Sequence, residues 1–125
     1  MTGPSGSKSR ILVVEDEAIT RHAAVEMLDE AGFEVFEAQD GTEAIRVLDS
    51  VADIRVVMTD IDMPSGLDGI RLAACIDRRW PEIGVVVVSG KVRPALGDVP
   101  ARGHFFRKPY DAEAVTRVIR RLAEG

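Results

Sequence analysis

Ile11-Leu-Val-Val-Glu-Asp16 is a run of four apolar residues followed at once by two acidic residues. The same succession returns at residues 56–60, where Val-Val-Met-Thr precedes Asp60, and at residues 104–108, where His-Phe-Phe-Arg precedes Lys108. Short runs rich in β-branched or aromatic residues are typical of buried parallel strands. Because the carboxyl ends of neighbouring parallel strands open on one crevice, we expect these carboxylates and the lysine to lie together there.

Such a concentration of negative charge needs compensation. Two carboxylates about 4 Å apart repel each other by roughly 4 kcal/mol at an effective dielectric constant near 20. A divalent cation, a proton on one carboxyl group or the ammonium of Lys108 can offset that repulsion. The pattern therefore predicts a site for Mg²⁺ and a phosphoryl group at this edge of the sheet.

The composition is typical of one ordinary globular domain. The chain has 125 residues, of which 46% are hydrophobic and 30% charged, and this length suffices for a single core. The net charge of −5 argues against nonspecific binding to nucleic acid, and no apolar run approaches the roughly 18–20 residues of a membrane span. Cys75 is the only cysteine, which excludes an intrachain disulfide and a cysteine metal site. We expect a cytoplasmic protein in which residues 1–9 form a flexible leader and residues 10–125 form the domain.

Strand-like and helix-like patterns alternate along the chain. Gly32 is expected to close the first helix, Thr42 and Asp111 to cap the second and the last, and Pro81 to stop the third. The predicted strands cover residues 11–14, 33–38, 54–59, 84–88 and 105–106. This alternation predicts an α/β fold with a doubly wound parallel sheet of about five strands.

Several short motifs, taken together, resemble the receiver domain of two-component response regulators, of the stand-alone single-domain type. They are LVVEDE at residues 12–17, TDIDMP at 59–64, DG at 68–69, VSG at 88–90 and RKP at 107–109. The resemblance extends from about residue 10 to residue 122. It implies a flavodoxin-like sheet with strand order 2-1-3-4-5, in which strands 1 and 3 are adjacent at the switch point.

The resemblance implies a role for each acidic residue of the predicted crevice. Asp60 is similar to the phosphoacceptor, which takes a phosphoryl group from a phosphohistidine on a histidine kinase or a phosphotransfer protein. Asp16 and Asp60 would bind Mg²⁺, or Mn²⁺ in its place, together with Glu15 through water and the backbone carbonyl of Asp62. The phosphoryl group would then switch binding to a downstream protein, with neither nucleic acid nor a membrane as partner.

The same resemblance assigns residues that would surround the phosphoryl group. Ser89 would donate its hydroxyl and Lys108 its ammonium to phosphoryl oxygens, so that catalysis consists of positioning and charge neutralisation. The bond between Lys108 and Pro109 is expected to be cis. Phe105 stands where receivers often carry a switching aromatic residue.

Two further positions, Asp62 and Lys91, border the path of the attacking water in receivers. Their opposite charges are expected to pair across the phosphoryl group and to tune its lifetime. The domain would thus catalyse only its own phosphorylation and dephosphorylation, and we do not expect it to be an enzyme in the usual sense.

Two alternatives stand beside the receiver interpretation. Asp60-Ile-Asp62 after an apolar strand also resembles the nucleophile motif of haloacid-dehalogenase-like phosphatases, in which the second aspartate is a general acid. That motif is expected near the start of a chain, and a further acidic pair is expected where Val88 is followed by Ser-Gly-Lys. The other alternative is a degenerate receiver that serves only as a binding module, which the filled functional positions disfavour.

Residues 91–103 depart from the family pattern, which has a helix followed by a strand in this part of the chain. Pro94 and Pro100 each lack a backbone donor, and Gly97 lies between them. A proline inside a helix costs about 3 kcal/mol and a glycine roughly 1 kcal/mol. We therefore expect helix 4 of the family to be degraded or replaced by a loop.

Overall fold

The strands and helices of the described residues follow one another in the order that the sequence predicts. The computed structural model describes residues 8–62, 69–90 and 103–125. These ranges contain β1 (Arg10–Val14), α1 (Ala18–Glu30), β2 (Glu34–Ala38), α2 (Gly41–Ser50), β3 (Ile54–Asp60), α3 (Gly69–Arg79), β4 (Gly84–Ser89), β5 (Gly103–Arg107) and α4 (Ala112–Glu124).

The five strands form one parallel sheet with the order β2-β1-β3-β4-β5. This confirms the predicted flavodoxin-like topology. The pairing register aligns the strand ends, since Val14 of β1 lies opposite Thr59 of β3 and Ser89 of β4 lies opposite Arg107 of β5. The residues at or just after these ends therefore meet at one edge of the sheet, where the sequence predicts the site.

Alternation of side chains along the strands divides the core into two layers. Leu12 and Val57 pack with residues of α2 and α3, whereas Ile11 and Val56 pack with residues of α1 and α4. Each of these four side chains is fully buried, and such burial stabilises a fold by about 1.5–3 kcal/mol per side chain. Helices on both faces are typical of a doubly wound sheet, and they hold the central strands that carry the site.

Three helix ends agree with the sequence-based expectation and one does not. The helix α3 ends at Arg79, two residues before Pro81. Gly32 follows α1 with a φ of 99°, a left-handed conformation that glycine adopts without strain, and the carboxylate of Asp111 caps α4. The predicted cap of α2 was wrong, because Asp40 rather than Thr42 precedes the helix. Asp40 has an extended backbone and its Oδ1 accepts a hydrogen bond from Glu43 N at 2.8 Å, whereas Thr42 already lies in the first turn.

Two expectations fall outside the described residues. The predicted loss of helix 4 concerns residues 91–103, of which only Gly103 is described, at the start of β5. Residues 1–7 of the predicted leader also lie outside the described ranges, and β1 begins at Arg10. Within the described ranges, no helix combines the length and the apolar character needed to cross a bilayer.

Candidate functional site

The carboxyl ends of β1, β3, β4 and β5 bring polar side chains to one edge of the sheet. Glu15, Asp60 and Ser89 are only 5%, 4% and 1% exposed, and Lys108 directly follows β5. Backbone hydrogen bonds fix the main-chain position of two of these residues. Glu15 N donates to Ala38 O at 3.0 Å, and Lys108 N donates to Ser89 O at 2.9 Å. The convergence therefore follows from the register of the sheet.

Lys108 joins two of the carboxylates. Its Nζ lies 2.9 Å from Asp60 Oδ2 and 3.2 Å from Glu15 Oε1. Burial by itself lowers the pKa of this ammonium, but the hydrogen bond and the charge of Asp60 outweigh it, so the pKa lies above its ordinary value. Lys108 is thus held in its charged form between two acidic groups.

The charged form of Glu15 is disfavoured, because this residue is buried beside another carboxylate. Burial, followed by the hydrogen bond and the charge of Asp60, raises the pKa of Glu15 from 4.5 to about 7. The hydrogen bond from Glu17 N to Glu15 Oε2 and the charge of Lys108 act in the other direction. One cation does not compensate the two buried carboxylates fully.

A third carboxylate completes an arrangement that suits a metal ion. Glu15, Asp16 and Asp60 each offer one oxygen, and these oxygens lie within 4.8 Å of one another, with Asp16 exposed and the other two buried. Mg²⁺ favours oxygen ligands, uses few carboxylates and keeps several waters, so this donor set fits it. The cluster opens on a cleft of about 740 Å³, which leaves room for such waters and a phosphoryl group. The cleft is lined by Glu15, Asp16, Glu17, Asp60, Asp62, Gly90 and Lys108.

Asp62 connects the end of β3 with the end of β4. Its backbone N–H donates to Asp60 Oδ1 at 2.8 Å. Its carboxylate accepts two hydrogen bonds, from Ser89 Oγ at 2.8 Å and from Gly90 N at 2.9 Å. The sequence pointed to Asp62 for its backbone carbonyl and for a charge pair with Lys91. Lys91 lies outside the described residues, and the contacts of the Asp62 carboxylate were not foreseen.

The two remaining predicted residues lie near Lys108 along the chain. The peptide bond between Lys108 and Pro109 is cis. Phe105 lies on β5 opposite Val87 and is half-buried, with its ring packed against the core layer that α2 and α3 cover. The carboxylate cluster of the site does not include it.

Two residues support the site through contacts that the sequence analysis did not predict. Arg21 of α1 donates from Nη1 to Glu15 O at 2.9 Å and from Nε to Glu37 Oε1 at 2.9 Å, so it ties the loop after β1 to β2. Gly69 begins α3 against the backbone of Asp60, where an added Cβ would meet the Asp60 carbonyl oxygen and lie 2.6 Å from Ile61 Cα. These contacts form only when α1 and α3 lie against the ends of the strands, and no local pattern indicates them.

Comparison with known proteins agrees with this geometry. Residues 11–120 match the family model of the response regulator receiver domain. The chain belongs to this family. Chemotaxis protein CheY1 from Helicobacter pylori (strain J99) is similar to this receiver, with 36% identity over 85% of the chain and 90% of the relative's length. Aerobic respiration control protein ArcA from Escherichia coli (strain K12) is 33% identical over 90% of the chain.

Solved structures of receivers have the same fold. A response regulator receiver protein from Sinorhizobium medicae superposes with a TM-score of 0.85 at 28% identity, over 95% of this chain and 97% of the other. The receiver spans 47% of the length of ArcA and 13% of the sensor kinase CckA from Brucella abortus, to which it is 30% identical. Those relatives therefore share this domain with much longer proteins.

Proposed function

We propose that this receiver accepts a phosphoryl group on Asp60 in a Mg²⁺-dependent reaction of a two-component phosphorelay. One observation carries the proposal: Asp60 is buried at a strand end, with Lys108 2.9 Å from one carboxylate oxygen and Asp62 N 2.8 Å from the other. Glu15 and Asp16 stand beside it as candidate metal ligands. A buried carboxylate beside an ammonium and two candidate metal ligands is suited to forming an acyl phosphate rather than to stabilising the fold.

The proposed reaction is a displacement at phosphorus. A carboxylate oxygen of Asp60 attacks the phosphoryl group of a phosphohistidine, the new O–P bond forms as the P–N bond breaks, and the imidazole leaves with the electron pair. Lys108 neutralises charge on one phosphoryl oxygen, and the hydroxyl of Ser89 donates to another. Such transfer requires mainly positioning and electrostatic stabilisation, which a site already fixed by the sheet provides.

The residues for the metal follow from the donor set. Asp16 and Asp60 would bind Mg²⁺ or Mn²⁺ directly, Glu15 would bind it through water, and the backbone carbonyl of Asp62 would add a fourth oxygen. The ion would supply positive charge against the phosphoryl oxygens. Glu15 ionises at a raised pKa, and binding of the cation would favour its charged form.

The proposed partners are a histidine kinase or a histidine phosphotransfer protein as donor and a further protein as target. Two relatives are named as sensor kinases, CckA from Brucella abortus and the CAI-1 autoinducer sensor kinase/phosphatase CqsS from Vibrio cholerae. A rotamer change of Phe105, which is half-buried on β5, would contribute to the signal that the target protein recognises.

Incubation with a small acyl phosphate or phosphoramidate tests the proposal. With Mg²⁺, intact mass should show one added phosphate, and excess EDTA should prevent it. Asp60→Asn should abolish labelling and Asp16→Asn should greatly reduce it, whereas Asp77→Asn, which alters an exposed carboxylate of α3, should label like the wild type.

Two outcomes would contradict the proposal. Labelling of the Asp60→Asn protein at another residue would remove Asp60 as the acceptor. Absence of labelling in the folded wild type, with small donors and with histidine kinases of the source organism alike, would favour the degenerate receiver. The dehalogenase-like alternative is disfavoured, since the Asp62 carboxylate binds Ser89 and Gly90 rather than standing free as a general acid.

A further inference from the structure

The carboxylate of Asp62 occupies two donors at the end of β4. Ser89 Oγ lies 2.8 Å from Asp62 Oδ1, and Gly90 N lies 2.9 Å from Asp62 Oδ2. A hydroxyl and an adjacent backbone N–H that face the same way form a small anion-binding pair. In this protein the anion that they hold is part of the protein itself.

Asp62 is also linked to the proposed acceptor. Its backbone N–H donates to Asp60 Oδ1 at 2.8 Å, so one residue contacts Asp60 through its main chain and Ser89 through its side chain. Among the described residues, the carboxylate oxygens grouped closely enough to hold a metal belong to Glu15, Asp16 and Asp60. The Asp62 carboxylate instead points to the β4 side of the cleft.

We infer that the Asp62 carboxylate competes with the phosphoryl group for the donors of Ser89 and Gly90. The carboxylate must release these donors before a phosphoryl group on Asp60 can bind them. This inference rests on the proposed function. A phosphoryl oxygen and a carboxylate oxygen are both anionic acceptors and need the same donors. The charge-assisted hydrogen bonds of the carboxylate are stronger than neutral ones, so their loss opposes phosphorylation.

Two substitutions at Asp62 separate the effect of its negative charge from the effect of its hydrogen-bond acceptors. Asp62→Asn keeps the shape and an oxygen acceptor but removes the charge, whereas Asp62→Ala removes both. The affinity of the Mg²⁺-loaded protein for beryllofluoride, followed by amide NMR or calorimetry, should rise from wild type to Asp62→Asn to Asp62→Ala. The full gain should be about tenfold, as expected for loss of hydrogen bonds to a charged acceptor. Phosphorylation by a small donor should become faster in the same order.

The cleft offers a matched control for charge alone. Glu17 lines the same cleft but accepts a hydrogen bond from Thr20 Oγ1 at 2.7 Å through its side chain, away from Ser89. Glu17→Gln should change beryllofluoride affinity less than twofold. A gain equal to that of Asp62→Ala would show that general repulsion is the cause and would overturn the inference.

A double-mutant cycle tests whether Asp62 acts through Ser89. In a Ser89→Ala background, the gain from Asp62→Ala should fall by about threefold or more, because one of the two contested donors is already absent. An undiminished gain would contradict the competition.

The Gly90 amide resonance provides a readout without any ligand, and it should move upfield in Asp62→Ala as the charged acceptor is lost. An unchanged Gly90 resonance would overturn the inference, and this result does not depend on whether Asp60 accepts a phosphoryl group.

The two proposals fail in different ways. If neither wild type nor Asp62→Ala binds beryllofluoride or accepts phosphate, the phosphoacceptor function is wrong and the competition falls with it. If the wild type binds beryllofluoride and Asp62→Ala binds it equally well or more weakly, only the competition is wrong.

Discussion

Lys108 Nζ donates to Asp60 Oδ2 at 2.9 Å, and the backbone N–H of the same lysine donates to Ser89 O at 2.9 Å. The lysine therefore extends the hydrogen-bonding ladder of β4 and β5 and places its charge against the end of β3. Its second contact, 3.2 Å to Glu15 Oε1, reaches the end of β1. One side chain thus spans the carboxyl ends of strands that contribute to the site.

Removal of the Lys108 charge should destabilise the metal-free protein. Lys108→Gln leaves two buried carboxylates without their cation, and the free energy of unfolding at pH 8 should fall by about 1–3 kcal/mol. Arg79→Gln, which breaks the exposed pair with Asp49, should cost less than about 1 kcal/mol. Urea denaturation measures both, and a Lys108→Gln protein as stable as the wild type would contradict the pairing.

The buried Glu15 should make the stability of the metal-free protein depend on pH. Its pKa is raised from 4.5 in the unfolded chain to about 7 in the fold. The fold therefore favours the protonated form, and this contribution to stability is fully present below pH 4.5 and is lost as the pH rises through about 7. Between pH 5 and pH 8 the wild type should lose about 1–3 kcal/mol relative to Glu15→Gln.

Denaturation midpoints of the two proteins across this pH range, in EDTA, measure the difference. Mg²⁺ should reduce it, because the ion favours the ionised carboxylate. Parallel pH profiles for wild type and Glu15→Gln would show that Glu15 does not titrate in this range.

Gly69 should tolerate no side chain, because α3 begins against the backbone of Asp60. In Gly69→Ala the new Cβ would meet the Asp60 carbonyl oxygen and lie 2.6 Å from Ile61 Cα, and backbone atoms cannot rotate away. We expect a loss of about 1–3 kcal/mol of stability together with slower phosphorylation. For comparison, a Cβ at Gly90 would lie 3.6 Å from Lys108 Cβ, so Gly90→Ala should be close to neutral in thermal unfolding. Equal melting temperatures for Gly69→Ala and the wild type would exclude the clash.

The lifetime of the phosphoryl group should depend on Lys91, a residue outside the described ranges. Once a phosphoryl group displaces the Asp62 carboxylate, that carboxylate becomes available to pair with Lys91 and to shield the acyl phosphate from water. An exposed pair contributes about 0–1 kcal/mol. The acyl phosphate of Lys91→Ala should therefore hydrolyse up to about fivefold faster than that of the wild type. Arg117→Ala, which removes an exposed cation from α4, should decay like the wild type. Equal or slower decay of the Lys91→Ala acyl phosphate would contradict this prediction.

The sequence by itself determined the order of elements, the parallel sheet and the edge at which the site forms. These features depend on local patterns, such as the apolar run before Glu15 and the capping carboxylate of Asp111, and on the rule that parallel strands share their carboxyl ends. The cap of α2 is an exception, because the sequence predicted Thr42 and the structure has Asp40 at that position. Asp40 and Thr42 both have cap-forming side chains, and the extended backbone of Asp40 made it the cap of α2.

Only the tertiary structure decided which atoms meet within the site. The carboxylate of Asp62 binds Ser89, 27 residues further along the chain, and Arg21 holds the carbonyl of Glu15 while also pairing with Glu37 on β2. Hydrogen bonds form only within about 3 Å, so such contacts depend on the combined register of several strands and helices. The raised pKa of Glu15 has the same origin, since burial and the closeness of Asp60 exist only once the sheet has assembled.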